Sequence, residues 1–408
     1  MLKEDVLNEI KTKNLPVIIA GAGIVGKILL DICKEAGIKV DCFCDSNIEV
    51  ARTGKFCGLE IIYTPELKRF YENAAVLISV VSIKDVVDIL KDLGFSNWYA
   101  GGMLLGDYDT FQGGAAIDYA KLSIENCVLC HNGYLNPDRL FLRSIDVMIT
   151  ERCSLRCKNC SNLMQYYEKP QNLDFGVLLK SIDVFCQIVD EVMEFRVLGG
   201  DVFMSRDWPA VVKRLTDEPK AKRVVLYTNG TLVPLEKDIA ILKHPKVVVV
   251  VSDYGAISRN LVRLKQLFER EKIAYHILEV TGWQDCGTVR PHHRSEEENK
   301  RMFKTCCAKN IATLSDGKVF RCPYAANANR LAAAPNYKGD YVDLFAEPIN
   351  ATNIVRIKNE LKDYILNKDY LKTCDFCNAR PLSKAELKPA EQTDKPVSYH
   401  KFSKELIE

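Results

Sequence analysis

The sequence predicts an α/β protein with two parallel sheets in succession along the chain and a small cysteine-rich region after them. A strand, a glycine-rich turn, a helix and another strand come in this order before residue 46, and strands alternate with helices again from Ser144. Widely spaced cysteines follow after residue 300 and predict a third region. The 408 residues suffice for about two to three domains.

The first domain is predicted over residues 1–105 from a motif and its context. Gly21, Gly23 and Gly26 form a G-x-G-x-x-G turn between an apolar strand and an apolar-periodic helix. The next strand ends at Asp45. Glycines let the backbone approach a pyrophosphate at the helix N-terminus, and the acid can accept hydrogen bonds from ribose hydroxyls. A Rossmann-like nucleotide-binding domain is therefore predicted.

This region resembles the small N-terminal domains of sugar-modifying enzymes in bacterial glycan pathways. The resemblance implies that the glycine turn holds a nucleotide sugar. Binding of NAD, and a turn with only a structural role, stay open as alternatives. A further strand over 75–81 and a helix over 84–93 continue the alternation.

Residues 106–143 are predicted to be a connector, because glycine pairs at 101–102 and 113–114 mark breaks in the pattern. Cys127 and Cys130 form a C-x2-C pair with His131 beside it. A lone pair of this kind favours packed cysteines over a metal site.

The second domain is predicted over residues 144–300 as an incomplete TIM-like barrel, a partial (β/α)6 arrangement of parallel strands. Apolar strands alternate with helical segments such as 175–189. The predicted strands span 145–150, 195–198, 224–228, 247–252 and 274–280. Functional groups are expected at the carboxyl ends of these strands.

Three cysteines directly after the first barrel strand are the most informative residues of the chain. Cys153, Cys157 and Cys160 have the spacing C-x3-C-x2-C. Three thiolates can hold a [4Fe-4S] cluster and leave one iron without a protein ligand, where a small molecule can bind. A zinc site that lacks its fourth ligand and a redox switch are the alternatives.

With this motif, residues of about 140–380 resemble the radical S-adenosylmethionine (SAM) superfamily. The resemblance implies that SAM binds the open iron and is cleaved to a 5′-deoxyadenosyl radical, with a flavodoxin- or ferredoxin-type protein as the electron donor. Asn159 stands where that superfamily often has an aromatic residue, which puts the packing of the adenine in doubt.

The resemblance also implies a SAM pocket at the ends of later strands. Gly199, Gly200 and Asp201 match the Gly-Gly-Glu motif that holds the methionine amino group, with a shorter acid here. Segments after the third and fourth strands would line the pocket, through Asn229 on one and through Ser252 and Asp253 on the other. A simple turn after the second strand is the alternative for the glycine pair.

The third region, residues 301–382, carries a second set of cysteines. Cys307, Gly317 and Cys322 have the spacing C-x9-G-x4-C, and Cys374 and Cys377 follow as C-x2-C. The pattern resembles the auxiliary-cluster region of the SPASM and shorter twitch subfamilies. It implies one further [4Fe-4S] cluster, closed by four cysteines.

Two questions about this region stay open. Cys306 competes with Cys307 for the first position, and the spacing favours Cys307. A four-cysteine zinc site would use the same ligands.

Together these features predict a radical SAM oxidoreductase or epimerase that acts on a sugar or sugar nucleotide. Cys286 is a candidate hydrogen-atom donor for epimerisation, with a buried free cysteine as the alternative. A peptide-modifying enzyme and a non-catalytic iron–sulfur module are the other candidate functions. For the polar tail, 383–408, wrapping around the substrate domain and mobility both stay open.

Charge and composition argue against other partners and places. The net charge of +2 gives no electrostatic reason to expect nucleic acid or an anionic membrane as a partner. The first residues carry mixed charges with no apolar segment behind them, so a cytoplasmic location is expected. In a reducing compartment, 16 cysteines predict metal ligands more than disulfides.

Overall fold

The computed structural model describes residues 3–106, 119–380 and 387–407. The chain forms two compact units, the first reaching Arg143 and the second beginning, among the described residues, at Ser144. The glycine pair at 113–114 and the start of the predicted tail lie outside the described residues.

The first unit is built on a six-stranded sheet of order β3-β4-β2-β1-β5-β6. Its strands are β1 Val17–Ala20, β2 Cys42–Asp45, β3 Lys55–Phe56, β4 Leu59–Tyr63, β5 Ala75–Ile78 and β6 Trp98–Ala100. Its helices are α1 Lys3–Lys13, α2 Ile24–Glu35, α3 Ile48–Ala51, α4 Ile83–Asp92 and α5 Tyr119–Leu135. Strand β1 pairs in parallel with β2 and β5, and only the short β3 runs antiparallel to its neighbour.

Helices cover both faces of this sheet, which explains why β1 and β5 are apolar at every position. Alternate residues of a strand face opposite sides. Ile19 accordingly joins the core that contains Leu29 of α2, and Ile18 joins the core that contains Val87 of α4. The carboxyl ends of β1, β2 and β5 meet at one edge, where the glycine turn follows β1.

The region predicted as a connector contains a long helix. Helix α5 spans 17 residues and packs in the first unit against α2 and α4. Its His131 is fully buried, accepts a hydrogen bond from Gly102 N at 3.0 Å and donates one to Val80 O at 2.8 Å. The glycine pairs suggested a break, but these tertiary contacts hold the helix.

The second unit is built on an eight-stranded sheet of order β11-β10-β9-β8-β7-β12-β13-β15. The strands of this sheet are β7 Phe141–Thr150, β8 Glu191–Gly199, β9 Ala221–Thr228, β10 Val247–Asp253, β11 Tyr275–Glu279, β12 Ala312–Ser315, β13 Lys318–Phe320 and β15 Tyr341–Asp343. Two further strands, β14 Asn336–Tyr337 and β16 Leu406–Ile407, form a separate pair. The helices of this unit are α6 Phe175–Ile188, α7 Trp208–Thr216, α8 Ile239–Leu242, α9 Leu261–Glu271, α10 Glu296–Lys304, α11 Pro323–Leu331 and α12 Ile354–Asn367.

The sheet does not stop at residue 300, where we placed the end of the barrel. Strand β12 pairs in parallel with β7, so a sixth barrel strand comes from the region assigned to the auxiliary cluster. Strands β13 and β15 then extend the same sheet with antiparallel pairing. Short strands with mixed residues carry a weak sequence signal, because pairing with a long neighbour decides their conformation.

The mixed α/β architecture with parallel sheets agrees with the prediction and is consistent with a TIM-like radical SAM fold. None of the described helices is long and apolar enough to cross a bilayer.

Candidate active site

The loop that carries Cys153, Cys157 and Cys160, here called the cysteine loop, follows the carboxyl end of β7 and is held by the end of β8. Gly200 N donates to Thr150 O and Asp201 N donates to Arg152 O, both at 2.9 Å. A side chain on residue 200 would place its Cβ 2.1 Å from Arg152 O. Glycine at this position therefore lets the two loops lie against each other.

The three thiols of the cysteine loop share one space. Cys157 is 7% exposed, and burial raises its pKa to about 12, with a smaller contribution from neighbouring Cys160. The pKa of Cys153 is also raised, first by burial and then by nearby charges that include Cys157 and Cys160. Cys157 and Cys160 thus each raise the pKa of another thiol of the loop, which shows that the three lie close together. Such a group of three fits a cluster that binds all of them as thiolates.

The backbone that follows Cys160 lies close to its thiol. Burial raises the pKa of Cys160, and the backbone N–H groups of Met164, Asn162 and Leu163 oppose that rise. Polar N–H groups near a ligating sulfur are typical of iron–sulfur sites. The set of three thiols fits a [4Fe-4S] cluster.

Asp201 does not present an open carboxylate at the end of β8. It is fully buried and accepts hydrogen bonds from Thr228 Oγ1 at 2.9 Å, Asn229 N at 2.9 Å and Phe203 N at 3.0 Å. Burial raises its pKa, and these bonds oppose the rise. Because the side chain is one methylene shorter than glutamate, it stays among its own backbone neighbours and ties β8 to β9.

Asn229, at the end of β9, contacts the cysteine loop directly. Its Nδ2 donates to Ser154 Oγ at 3.1 Å and lies 3.5 Å from Cys153 Sγ. Its Oδ1 accepts from Thr231 N at 3.0 Å, which fixes the orientation of the amide. The predicted pocket residue therefore faces the first ligand cysteine.

The end of β10 contributes a residue that the sequence analysis missed. Tyr254 contacts Ser252, and the pKa of Tyr254 is raised by burial and further by the three loop cysteines. Its ring packs edge-on against Trp283 at 5.6 Å. Asp253 instead accepts from Gly255 N at 2.8 Å within its own turn.

The loop after β11 closes over the cysteine loop. A Cβ on Gly287 would lie 2.4 Å from Asn159 Cα, so the two backbones touch. Cys286 is 4% exposed, and its Sγ lies 3.9 Å from Asn159 O. Burial raises the pKa of Cys286 to about 11, and Arg380 opposes that rise.

A second cysteine site lies in a small, mostly apolar cavity. Four cysteines line it: Cys306, Cys322, Cys374 and Cys377. The sulfurs of Cys306, Cys322 and Cys374 each accept a backbone N–H at 3.4 Å, from Ala308, Ala325 and Leu371. The prediction of Cys307 by spacing is therefore not supported, because the adjacent Cys306 lines the cavity.

Cys307 instead contacts Cys306. The neighbouring Cys307 thiol lowers the pKa of Cys306, and the Cys306 thiol raises that of Cys307. A spacing rule cannot separate adjacent cysteines, and only the direction of each side chain decides between them.

Arg380 gives an independent test of what the cavity can hold. It lines the cavity, is 8% exposed, and has no hydrogen-bond partner at Nε and Nη1 among the described residues. Burial alone would lower its pKa, but nearby cysteines, Cys286 and Cys307 first, raise it overall. A buried cation with unused donors fits an anionic group, and a four-thiolate iron–sulfur cluster is one.

Within the described ranges, no three Cys, His, Asp or Glu side chains converge on a point that a single metal ion could occupy. In a four-iron cluster each thiolate binds a different iron, so this finding concerns mononuclear sites.

A polar group on neighbouring barrel strands was also missed by the sequence analysis. Asp146 on β7 is 1% exposed, and its Oδ1 lies 2.8 Å from Arg196 Nε on β8. The Arg196 guanidinium lies 5.3 Å from the ring centre of Tyr227 on β9. Asp146 and Met148 are two residues apart on β7 and therefore face the same side of the sheet. Met148 belongs to the apolar cluster against which Cys153 and Cys160 pack, so Asp146 faces the side that carries the cysteine loop.

In the first unit, the glycine turn has the close contacts that its motif requires. A Cβ on Gly26 would lie 2.1 Å from Gly21 O, so helix α2 packs directly on the turn. Gly23 caps that helix without a side-chain hydrogen bond and has open space around it. Asp45 accepts from Ala22 N at 3.1 Å and from Asn47 N at 2.8 Å, which places its carboxylate beside the turn.

The family model of the radical SAM superfamily matches residues 147–254. Among curated proteins, a GTP 3′,8-cyclase of Xanthomonas axonopodis pv. citri is 29% identical over 154 residues, which is 36% of this chain and 45% of that protein. Another GTP 3′,8-cyclase, from Acidothermus cellulolyticus, is 27% identical over 97 residues, covering 22% of this chain and 26% of the relative. The chain thus spans less than half the length of these relatives.

Solved structures show weaker likeness. BtrN in complex with AdoMet and 2-DOIA has a TM-score of 0.36 and 16% identity, covering 63% of this chain and 98% of that one. Streptococcus suis SuiB bound to S-adenosylmethionine has a TM-score of 0.30 and 14% identity, covering 61% and 53%.

Proposed function

We propose, on the premise that residues 147–254 form a radical SAM domain, that this protein is an enzyme that oxidises or epimerises a sugar or sugar nucleotide. Family membership of this domain implies a [4Fe-4S] cluster and SAM. The observation that carries the finer proposal is the second cavity, lined by four cysteines and a buried arginine close to the cysteine loop.

Cys153, Cys157 and Cys160 would hold the first cluster. When bound, this cluster and SAM supply a 5′-deoxyadenosyl radical that removes a hydrogen atom from an unactivated C–H bond. Residues around the loop would position that chemistry: Asn229 contacts Cys153 and Ser154 at the start of the loop, and Tyr254, packed on Trp283, lies near the loop cysteines.

The second cavity would hold a closed cluster through Cys306, Cys322, Cys374 and Cys377, in the manner of a twitch-type domain. Oxidation of an alcohol carbon to a carbonyl removes one hydrogen atom, one proton and one electron. The electron needs an acceptor, and a closed iron–sulfur cluster belongs to that chemical class. Oxidation therefore has a direct use for a second cluster, as the acceptor of that electron.

Two features support a hydroxyl-rich or nucleotide-linked substrate. Asp146, Arg196 and Tyr227 form a polar group on the barrel face that carries the cysteine loop, and such groups suit hydroxyls. The first unit adds a parallel sheet with a glycine turn and a terminal acid, the arrangement of a Rossmann-like nucleotide site.

Epimerisation is the second candidate, and Cys286 carries it. This thiol is buried at the loop that closes over the cysteine loop, close to Cys160. A thiol there could return a hydrogen atom to the opposite face of a substrate radical, and the resulting thiyl radical would be restored to the thiol by one electron, from a reduced iron–sulfur cluster, and one proton. Peptide modification and a purely structural iron–sulfur role are further alternatives that the following experiment tests.

The experiment is anaerobic reconstitution followed by SAM cleavage assays with a panel of sugar nucleotides, GTP and a cysteine-containing peptide, in deuterated water. Oxidation is expected to give a product lighter by two hydrogens, with 5′-deoxyadenosine in equal amount. A product that carries one deuterium at an inverted carbon would instead establish epimerisation. If no sugar nucleotide stimulates cleavage and the peptide or GTP does, the proposed substrate class is wrong.

The ligand assignment of the second cavity has its own test. Cys306→Ala is expected to reduce the iron content from about eight to about four ions per chain, because one of two four-iron clusters loses a ligand. Cys307→Ala is the matched control and should keep close to eight. Iron and zinc analysis of both variants checks this. If only the Cys307 variant fell to about four irons per chain, without zinc, Cys307 would be the ligand instead of Cys306.

A further inference from the structure

The part of the polar tail around Gln392 lies along the cysteine loop and pairs with its backbone. Cys157 forms an antiparallel bridge with Gln392. Lys158 N donates to Glu391 O, and Thr393 N donates to Arg156 O, both at 2.8 Å. Residues 390–399 are here called the tail strap, and Glu391 to Thr393 within it pair with the backbone on both sides of the middle cysteine.

One side chain of the strap contacts the sulfur itself. Gln392 Nε2 donates to Cys157 Sγ at 3.2 Å and also contacts Ala390 O at 2.6 Å. Its Oε1 accepts from Arg156 N at 2.7 Å. Because a backbone N–H can only donate, this last bond fixes which end of the amide is oxygen and directs the NH₂ group at the sulfur.

The strap is anchored at further points in the same unit. Val397 N donates to Gln165 O at 2.9 Å, and the ring of Tyr399 packs edge-on against Tyr166 at 5.4 Å. Lys158 Nζ pairs with Glu391 at 2.5 Å, though both side chains are half exposed, so this ion pair contributes little. Backbone pairing and aromatic packing hold the strap in place.

We propose that the tail strap is a positioning element for the cysteine loop and that Gln392 is the residue through which it acts on Cys157. This inference rests on the proposed function, in which Cys157 is a cluster ligand. An N–H donor on a ligating sulfur stabilises the more negative, reduced state of an iron–sulfur site and raises its reduction potential. The strap also keeps solvent from Cys157, which is 7% exposed.

The first test uses the iron-free protein, where no radical chemistry is involved. Alkylation of Cys157 is followed by mass spectrometry, with Cys153 as the comparator in the same molecule. Gln392→Ala is expected to speed alkylation of Cys157 about fivefold, because the net worth of one hydrogen bond corresponds to about that factor in the open population. Glu391→Ala, which removes only the exposed ion pair, should match the parent protein.

The second test uses the reconstituted protein and a potentiometric titration followed by electron paramagnetic resonance. Gln392→Glu keeps the acceptor for Arg156 N but replaces the donor that faces the sulfur. Its loop cluster is expected to have a more negative potential than that of Gln392→Ala, which in turn lies below the parent. A chain ended after Lys388 should lose iron from the loop cluster while the second cluster stays.

Unchanged alkylation and an unchanged potential in both Gln392 variants would overturn the proposal. Failure of the proposed function looks different: the parent protein would then cleave no SAM, while the alkylation differences would remain.

Discussion

His131 shows how one side chain can set the pH dependence of the first unit. The imidazole is fully buried as the neutral form, and burial lowers its pKa from 6.5 to about 4. Its two nitrogens join the loop after β5 to the backbone at Gly102. Protonation would place two donors where one acceptor is needed.

The sign of the effect follows from the lowered pKa. Above pH 6.5 His131 is neutral in both the folded and the unfolded chain, so its contribution to stability is fully present. Between pH 6.5 and 4 only the unfolded chain takes up the proton, and about 3 kcal/mol of stability is lost across this window.

Urea unfolding at several pH values measures this contribution. In His131→Gln the loss between pH 6.5 and 4 should be smaller than in the parent by about 3 kcal/mol. The carboxylates titrate in both proteins and cancel in the comparison. If the free energy of unfolding fell equally with pH in the two proteins, His131 would not be the group responsible.

At the scale of elements, the backbone contact between the loops after β7 and β8 holds the cysteine loop in position. Gly200→Ala would place a methyl group 2.1 Å from Arg152 O and 2.5 Å from Arg152 C. Backbone atoms cannot rotate away as a side chain can, so the cysteine loop itself must shift.

We expect Gly200→Ala to lose about 3 kcal/mol of stability and most of the iron of the loop cluster after reconstitution. Gly176→Ala is the matched control in the same unit, because its Cβ would meet only Asp174 Oδ1 at 3.4 Å. Denaturant unfolding and iron analysis of both variants check this. Full iron content in the Gly200 variant would show that the loop cluster does not depend on this backbone contact.

At the scale of the whole molecule, each unit has a core of its own. The two faces of the first sheet carry separate apolar clusters, and each contains only residues of the first unit. A unit with its own core is expected to fold alone. We therefore expect residues 1–143 to unfold cooperatively when expressed by themselves.

The isolated first unit also distinguishes the ligands considered for its glycine turn. A nucleotide sugar should bind it with a measurable calorimetric signal, and Gly23→Phe, which fills the open space above the turn, should abolish that signal. Binding of NAD alone would shift the assignment to a dinucleotide. No binding of either ligand to a folded unit would leave the turn with a structural role.

The sequence by itself determined the features that depend on local pattern. Apolar runs predicted β1, β2 and β5 of the first sheet and β7 to β11 of the second, because buried parallel strands need no polar face. The spacing of Cys153, Cys157 and Cys160 resembles that of the radical SAM superfamily, and the family model of that superfamily matches residues 147–254. Both signals lie within a few residues of chain.

Only the tertiary structure decided the features that join distant segments. Strand β12 enters the sheet because β7 offers an edge, and Cys306 rather than Cys307 lines the cavity because of how the chain turns there. Gln392 reaches Cys157 across 235 positions of sequence. No local pattern encodes such contacts, since they depend on which surfaces folding brings together.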